Sequence, residues 1–399
     1  MKSSILTIFL SLILGITLAH GATINVGVGE SIQTAVDTAS SGDTIVLTAP
    51  ADYDGNVTIV GKALRIYSLF HSDHDITGQI SISALPNGKS VSLKNLNISG
   101  QVIATDSNLN LIRCNLSKEV NASNPGNANT QLSVVKSNLT GKLYSTLTRT
   151  WIGYSDLRQS YFEGQVEIVG NTFNGAGLGG IGIDIYGNST QASIHNNNIL
   201  GFSLGADNYI SNSCIGIRID GGAEAIIKNN NISGNYDSRN TGSEFYVGIG
   251  ILINSSTKTD IISNYLHNNY VRDGYRVVNQ STGPVVQYGN CNIQSNSTNV
   301  LVRYNAIIAN TNNGSSTLKG TMNQSNNIAN SNLQNNGSPK EIDKDHDGTR
   351  NDIGANGGRN YIPNGRTTDK PIPISFTIAP QVVPIGGTVT IESTGATVK

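Results

Sequence analysis

The sequence predicts an all-β solenoid, a parallel β-helix closed in front by one short capping helix. Two observations predict it: a six-place phrase recurs along most of the chain, and from Ile181 a second, alternating phrase joins it at a steady distance. Self-similarity of this kind marks stacked repeats, each too small to bury its apolar face alone. Composition agrees. Charged residues are 13% of the 399, against roughly 25% in ordinary domains. The 44 glycines, with abundant Asn, Ser and Thr, supply turns and leave little from which to write long helices.

The first phrase is clearest at Ile194 to Ile199, I-H-N-N-N-I. An apolar residue opens it, polar residues follow, Asn or a stand-in holds the fourth or fifth place, and an apolar residue closes it. It is found at Leu93 to Ile98, Leu111 to Leu116, Val134 to Leu139, Ile152 to Leu157, Ile168 to Phe173, Ile227 to Ile232, Ile261 to Leu266, Tyr288 to Ile293 and Val302 to Ile307. In an unbroken strand the first and sixth side chains would face opposite sides. Both are apolar, so a bend separates two strands, and Asn tolerates the left-handed backbone a tight bend needs. The fourth place reads Asn171, Asn197, Asn230, Asn264, Cys291, Asn305. Stacking therefore predicts a buried column of amides, each bonded to the next, interrupted by one Cys.

The second phrase runs Ile181 to Ile185, Ile215 to Ile219 and Ile249 to Ile253, with period-two alternation. That pattern is a half-buried strand with an outward face. Each copy precedes an Asn phrase by a short polar turn, so the two are consecutive sides of one coil.

At the start, Met1 to Gly21 has one Lys, an apolar run from Ile5 to Leu18 and small residues at Ala19 and Gly21. We expect a secretory signal and an exported protein, secreted or at the cell surface, because the run is shorter than the roughly 18 residues a membrane span requires. Thr23 to Val26 then reads as a strand. Ser31 is placed to cap a helix whose Ile32, Ala35, Val36 and Ala39 share one face. Solenoids expose apolar ends, and this helix is the expected plug within a cap and first coils spanning 22–60.

The passage T-I-N-V, then S-I-Q-T-A-V-D-T-A-S-S-G-D-T-I-V-L, followed by Val57 to Val60 and Leu64 to Tyr67, resembles the opening of right-handed parallel β-helix proteins of the pectate-lyase-like superfamily. With the Asn phrases, the resemblance covers about residues 22–360 and implies the handedness. That superfamily contains polysaccharide lyases, glycosidases, epimerases, phage spikes and proteins of no known chemistry, so the resemblance implies no single activity. His74 and Asp75 match two letters of the D-P-H-D motif of alginate epimerases, among the early coils, and read as a polar turn. The acidic motifs of the fold's galacturonidases are absent, which argues against hydrolysis by paired carboxylates.

Through the solenoid, 61–340, phrase endings at Ile98, Leu116, Leu139 and Leu157 are closely spaced, whereas those at Phe173, Ile199, Ile232, Leu266 and Ile293 lie further apart. The extra residues must leave the wall as loops, which carry function more often than strands. Tyr209, Tyr236, Tyr246 and Tyr270 fall in these loops, where they either stack on sugar rings or fill the loops themselves. Outward places of the second phrase align Asp184, Arg218, Leu252 and Arg276 in one column, with Tyr186, Asp220 and Asn254 beside it.

In a resembling lyase, a cation neutralises a uronate carboxylate, a base takes the adjacent proton and an acid serves the leaving oxygen. Arg218, Arg276, Lys228 and His195 are the available cations, Asp184 and Asp220 the carboxylates, and Tyr186 an acid. The alternative is an exposed ladder pair of Asp and Arg of little energetic value. The expected partner is a polysaccharide or cell-surface glycan, bound and cleaved by lyase chemistry, or else bound by a non-catalytic adhesion protein of the same fold. Net charge of −1 gives neither a nucleic-acid footprint nor a polybasic membrane patch.

The segment 341–360 contains Asp343, Asp345, Asp347, Gly348, Asn351 and Asp352. Alternating Asp with Gly at the sixth place is how a calcium loop offers oxygens while turning, but Gly354 replaces the closing Glu of an EF-hand. A calcium site or a hydrogen-bonded acidic turn both fit, and either would fasten the last coil. Cys114, Cys214 and Cys291 are odd in number and widely spaced; the first and third fall at fourth places many coils apart, which argues against a disulfide. Residues 361–399 read as a linker and short strands at Ile374 to Ile378, Gln381 to Val383 and Thr388 to Ile391.

Overall fold

The computed structural model describes residues 21–70, 75–126, 129–175, 179–202, 214–237, 248–271, 291–308, 318–368, 372–379 and 390–396. Three long parallel sheets wind into a right-handed β-helix: sheet A with 13 strands, sheet B with 9 and sheet C with 11. A typical coil passes from C to A to B, as in Cys214–Asp220, Gly222–Lys228 and Asn231–Ser233. Helix α1, Ile32–Thr38, plugs the front; the Ser31 hydroxyl accepts from the Thr34 amide, and Ile32, Ala35 and Val36 are buried. Among the described residues, no helix is long and apolar enough to cross a membrane.

The register explains the phrase. Its opening residues pile up in sheet A as Leu93, Leu111, Val134, Ile152, Ile168, Ile194, Ile227, Ile261 and Val302. Its closing residues pile up in sheet B as Ile98, Leu116, Leu139, Leu157, Phe173, Ile199, Ile232, Leu266 and Ile307. Both files face one narrow core. Like stacks on like because parallel strands in register put equivalent side chains one strand spacing apart, roughly 4.8 Å.

Between the files, the bend uses two places with different duties. The third place takes the left-handed backbone, and its occupants vary: Asn95, Arg113, Lys136, Tyr154, Gly170, Asn196, Asn229, Ser263 and Tyr304. Asn does supply this conformation at Asn95, Asn196 and Asn229, but other residues supply it on the remaining coils, and the Asn of the fourth place has another task. Its amide oxygen accepts from the previous coil's Asn, backbone and side chain together: Asn197 N and Nδ2 both reach Asn230 Oδ1 at 3.0 Å. The same pair of bonds links Asn171 to Asn197, Asn230 to Asn264, Asn264 to Asn305 and Asn305 to Asn327. Ser155, Ser137 and Cys114 continue the column toward the front.

The predicted interruption by Cys291 is wrong. Cys291–Ser295 is a strand of sheet C, with Cys291 beside Ile249 and Ile293 beside Ile251, so Cys291 does not sit at a bend and Asn264 meets Asn305 directly. The period-two reading of the second phrase also needs amendment. Ile183, Ile185, Ile217, Ile219, Ile251 and Ile253 enter the core, whereas Ile215, Ile249, Leu252 and Cys291, with Ile181 against them, form a separate cluster. Alternation breaks at Gly182, where a Cβ would lie 2.6 Å from the Phe202 ring. A second amide column stands at this corner. Asn235 Nδ2 donates to Asn269 Oδ1 at 2.7 Å, and Asn269 Nδ2 to Asn292 Oδ1 at 2.8 Å.

After Asn323–Ser325 the chain turns back and runs along the outer edge between sheets A and B as a strap. Its contacts fall on the third-place residues in reverse order. Ser338 N donates to Ser263 Oγ, Asn229 Nδ2 to Asn351 Oδ1 and the Asp352 carbonyl, and Asn196 Nδ2 to the Ala355 and Gly357 carbonyls. Ile362 then covers Trp151, Tyr154, Val135 and Val169. Gly365 approaches Tyr154 so closely that a Cβ would sit 2.3 Å from the ring. Arg366 pairs with Asp156 at 2.7 Å, and Lys136 donates to the Thr368 carbonyl. Beyond the strap, Ile372–Ala379 and Thr390–Ala396 pair antiparallel; the expected strand Gln381 to Val383 lies outside the described residues.

Candidate functional site

The outer face of sheet C is where outward side chains of successive coils gather. Strand register stacks Tyr144, Tyr161, Asp184, Arg218, Leu252 and Gln294 in one column, so Gln294 holds the place after Leu252 that was expected for Arg276. Tyr186 and Asp220 are neighbours in the adjacent column, and Asn254 Nδ2 donates to Asp220 Oδ2 at 3.2 Å. The alternation that sends Ile183 and Ile185 inward sends Asp184 and Tyr186 outward.

Asp184 and Arg218 form a two-pronged pair, with Nε to Oδ1 at 2.8 Å and a terminal guanidinium nitrogen to Oδ2 at 2.6 Å. Asp184 is only 7% exposed. Its hydrogen bond raises the guanidinium pKa above the ordinary value, more than burial lowers it. A uronate carboxylate approaching Arg218 would have to compete with Asp184 for the same nitrogens. Asp220 is also engaged, accepting from the Gly221 amide as well as from Asn254.

Three tyrosines flank the pair on successive coils. The rings of Tyr144 and Tyr161 are 6.1 Å apart, and those of Tyr161 and Tyr186 are stacked at 6.2 Å with 29° between planes. Tyr186 is 44% exposed. Burial pushes the Tyr161 phenol well above its ordinary pKa, and its bond to Glu163 pushes it further, so it stays protonated and donates to that carboxylate. Tyr144, Tyr161 and Glu163 escape a sequence reading because Leu143–Ser145 and Ser160–Phe162 are too short to display alternation.

Other candidates lie elsewhere. His195 and Lys228 are neighbours on the outside of sheet A, apart from the Asp184 and Arg218 column. Lys228 pairs with Asp343 of the strap at 2.6 Å. Burial pushes the Asp343 carboxyl up, but Lys228 and the Ser338 hydroxyl outweigh it and hold it below the ordinary range. Tyr236 and Tyr270 begin two paired short strands; their side chains, and Tyr209, Tyr246 and Arg276 entirely, lie outside the described residues, as does His74.

The acidic oxygens of the closing turn have partners within the protein. Asp345 accepts from the Asp352 and Gly358 amides, Asp347 from Thr349, and Asp352 from the Asn335 amide, while Asn351 exchanges bonds with Asn229. Among the described residues, no three His, Cys, Asp or Glu side chains gather as a metal site.

His195 is 9% exposed and bonded through Nε2 to the Ser193 hydroxyl at 2.5 Å. Burial, helped by the Lys228 charge, lowers its pKa from 6.5 to about 4. The unfolded chain therefore binds the proton first as pH falls, so stability is complete above pH 6.5 and is lost between there and pH 4. The loss attributable to His195 should be on the order of 3 kcal/mol. Urea unfolding of the protein and of His195→Gln at both pH values checks this, and the variant should lack that part of the acid sensitivity.

Compared with known proteins, the chain matches no protein-family model. No curated protein matches it either. Fold and register define the class, a right-handed parallel β-helix with amide columns inside and an ordered polar and aromatic strip outside.

Proposed function

We propose that this protein is exported and binds a polysaccharide or cell-surface glycan along the outer face of sheet C. The observation that carries this reading is the strip of Tyr144, Tyr161 and Tyr186 over successive coils beside Asp184, Arg218 and Asp220. Aromatic faces take the C–H side of a sugar ring, and neighbouring carboxylates and amides take its hydroxyls. Successive coils set these side chains at a regular spacing along an extended face, which suits a polymer.

The lock of Asp184 on Arg218 favours a surface or adhesion role over lyase cleavage. Cleavage needs an unsatisfied cation at the uronate, and Arg218 spends both prongs on a protein carboxylate. Affinity electrophoresis through gels containing different glycans tests binding: Tyr186→Ala should weaken retention about tenfold, since a stacked ring is worth about 1 to 1.5 kcal/mol. Retention unchanged by that variant would remove the strip from the reading. Absorbance at about 235 nm with uronate polymers tests cleavage, and a sustained rise would restore the lyase.

A further inference from the structure

The outer face of sheet B carries an arrangement of its own, on a different sheet from the tyrosine strip. Register stacks Asn97, Asn115 and Asn138 in one row, and Asp156 follows them. Ile98, Leu116 and Leu139 turn into the core, so Ser99, Ser117 and Thr140 make a second outward row two places further along each coil. These two rows floor an open depression of about 320 Å³, bordered in front by Asp75. Behind it Arg366, near the end of the strap, bonds Asp156 and Thr172 and closes the rows off. Among the described residues, neither an aromatic ring nor a cation lines the depression; Lys118 and Arg158, next in sequence to Ser117 and Leu157, stand outside its lining.

The hydrogen-bonding groups of this floor are only partly used. Asn115 Nδ2 donates to Asn97 Oδ1 at 2.8 Å, but among the described residues no bond continues the row to Asn138. That leaves the Asn115 oxygen, the Asn97 amino group and the whole Asn138 carboxamide open. The hydroxyls of Ser99, Ser117 and Thr140 donate to the Ile76, Ser99 and Leu116 carbonyls, and each keeps lone pairs with which to accept. Open donors and open acceptors thus alternate over coils spaced by roughly 4.8 Å. A carboxylate or phosphate only accepts and matches the amino groups alone; an ammonium only donates and matches the oxygens alone. A hydroxyl does both. The strands beneath are hydrogen-bonded to neighbours on both sides, so they offer no free edge to a peptide.

We propose that this depression is a second binding site, which takes a small neutral saccharide edge-on through its hydroxyls, without a stacked ring. Its volume stands at the lower end of the range for ligand sites, roughly 300 to 1,000 Å³. The site goes beyond glycan binding on sheet C and does not need that strip to be occupied.

Isothermal titration of the full chain with cellobiose, mannobiose and maltose decides this. The expected result is binding of at least one of them, weakened about fivefold by Asn138→Ala, which removes one hydrogen-bonding group, and at least tenfold when Ser117→Ala is added. Both side chains are exposed, so the variants should keep the fold, which an unchanged urea midpoint verifies. Undiminished affinity in the double variant would overturn the inference. So would loss of binding in Tyr186→Ala in place of Asn138→Ala, which would assign the disaccharide to sheet C. Tighter binding of N-acetylglycinamide, which has amides and no hydroxyls, would overturn the saccharide as the ligand. Binding of none of the three disaccharides would overturn this site alone, because the glycan reading of sheet C stands or falls on the retention of polymers.

Discussion

Asn230→Leu should cost about 4 kcal/mol, one of the largest effects of any single change in the chain. The Asn230 side chain makes five bonds. Its Nδ2 donates to the Ile194 and Lys228 carbonyls and to Asn264 Oδ1, and its Oδ1 accepts from Asn197 N and Nδ2. Each is worth about 1 kcal/mol net, and the Asn197 amide would be left buried without a partner. A leucine gains some apolar burial but satisfies none of these groups. Urea unfolding measures the loss, and hydrogen exchange locates it, with the Asn197 and Asn231 amides losing protection first. A cost below about 1 kcal/mol would show that the column contributes little.

Ending the chain at Gly358 should uncover Trp151, the only tryptophan in the sequence. It is 5% exposed, in a cluster with Val135, Tyr154 and Val169 against which Ile362 rests. Removing Ile362, the Arg366 pair and the Lys136 bond should shift Trp151 emission to the red and lower stability by about 3 kcal/mol, mostly from lost apolar burial. Strand pairing beneath should survive, because each strand of sheet A there is hydrogen-bonded to both neighbours. Unchanged emission would mean that the strap does not shield the ring.

Most of the architecture was legible because repetition carries it. The files ending at Ile98 and Ile307 align on repetition alone, and Ser31 with Ile32, Ala35 and Val36 suffices to place α1. The amide column was legible too, but its membership was not. Tyr288 to Ile293 fits the six-place phrase as letters, yet Ile293 belongs beside Ile251. A pattern of apolar ends and polar middles cannot separate a bend from a strand that alternates. The third place looks featureless in the sequence because its occupants are Asn, Arg, Lys, Tyr, Gly and Ser; they share a left-handed backbone, and the strap gives several of them a common partner. That strap was readable as a possible cover, but not its path, since its partners lie 75 to 232 residues away. Of the binding strip, the pairing of Asp184 with Arg218 followed from register; Tyr144, Tyr161 and Glu163 did not, for want of strand length.

The strap changes how the molecule is put together in time. Coils that touch only their neighbours can wind up in order as they emerge, front first, without waiting for coils still to be made. Here the seat of Ile362 on Trp151 and Tyr154 stays vacant until some two hundred further residues have been made and threaded back. If the chain is exported as proposed, front end first, that greasy seam stays bare for most of the journey, which makes it the natural grip for an escort and the natural point of loss by clumping if none attends.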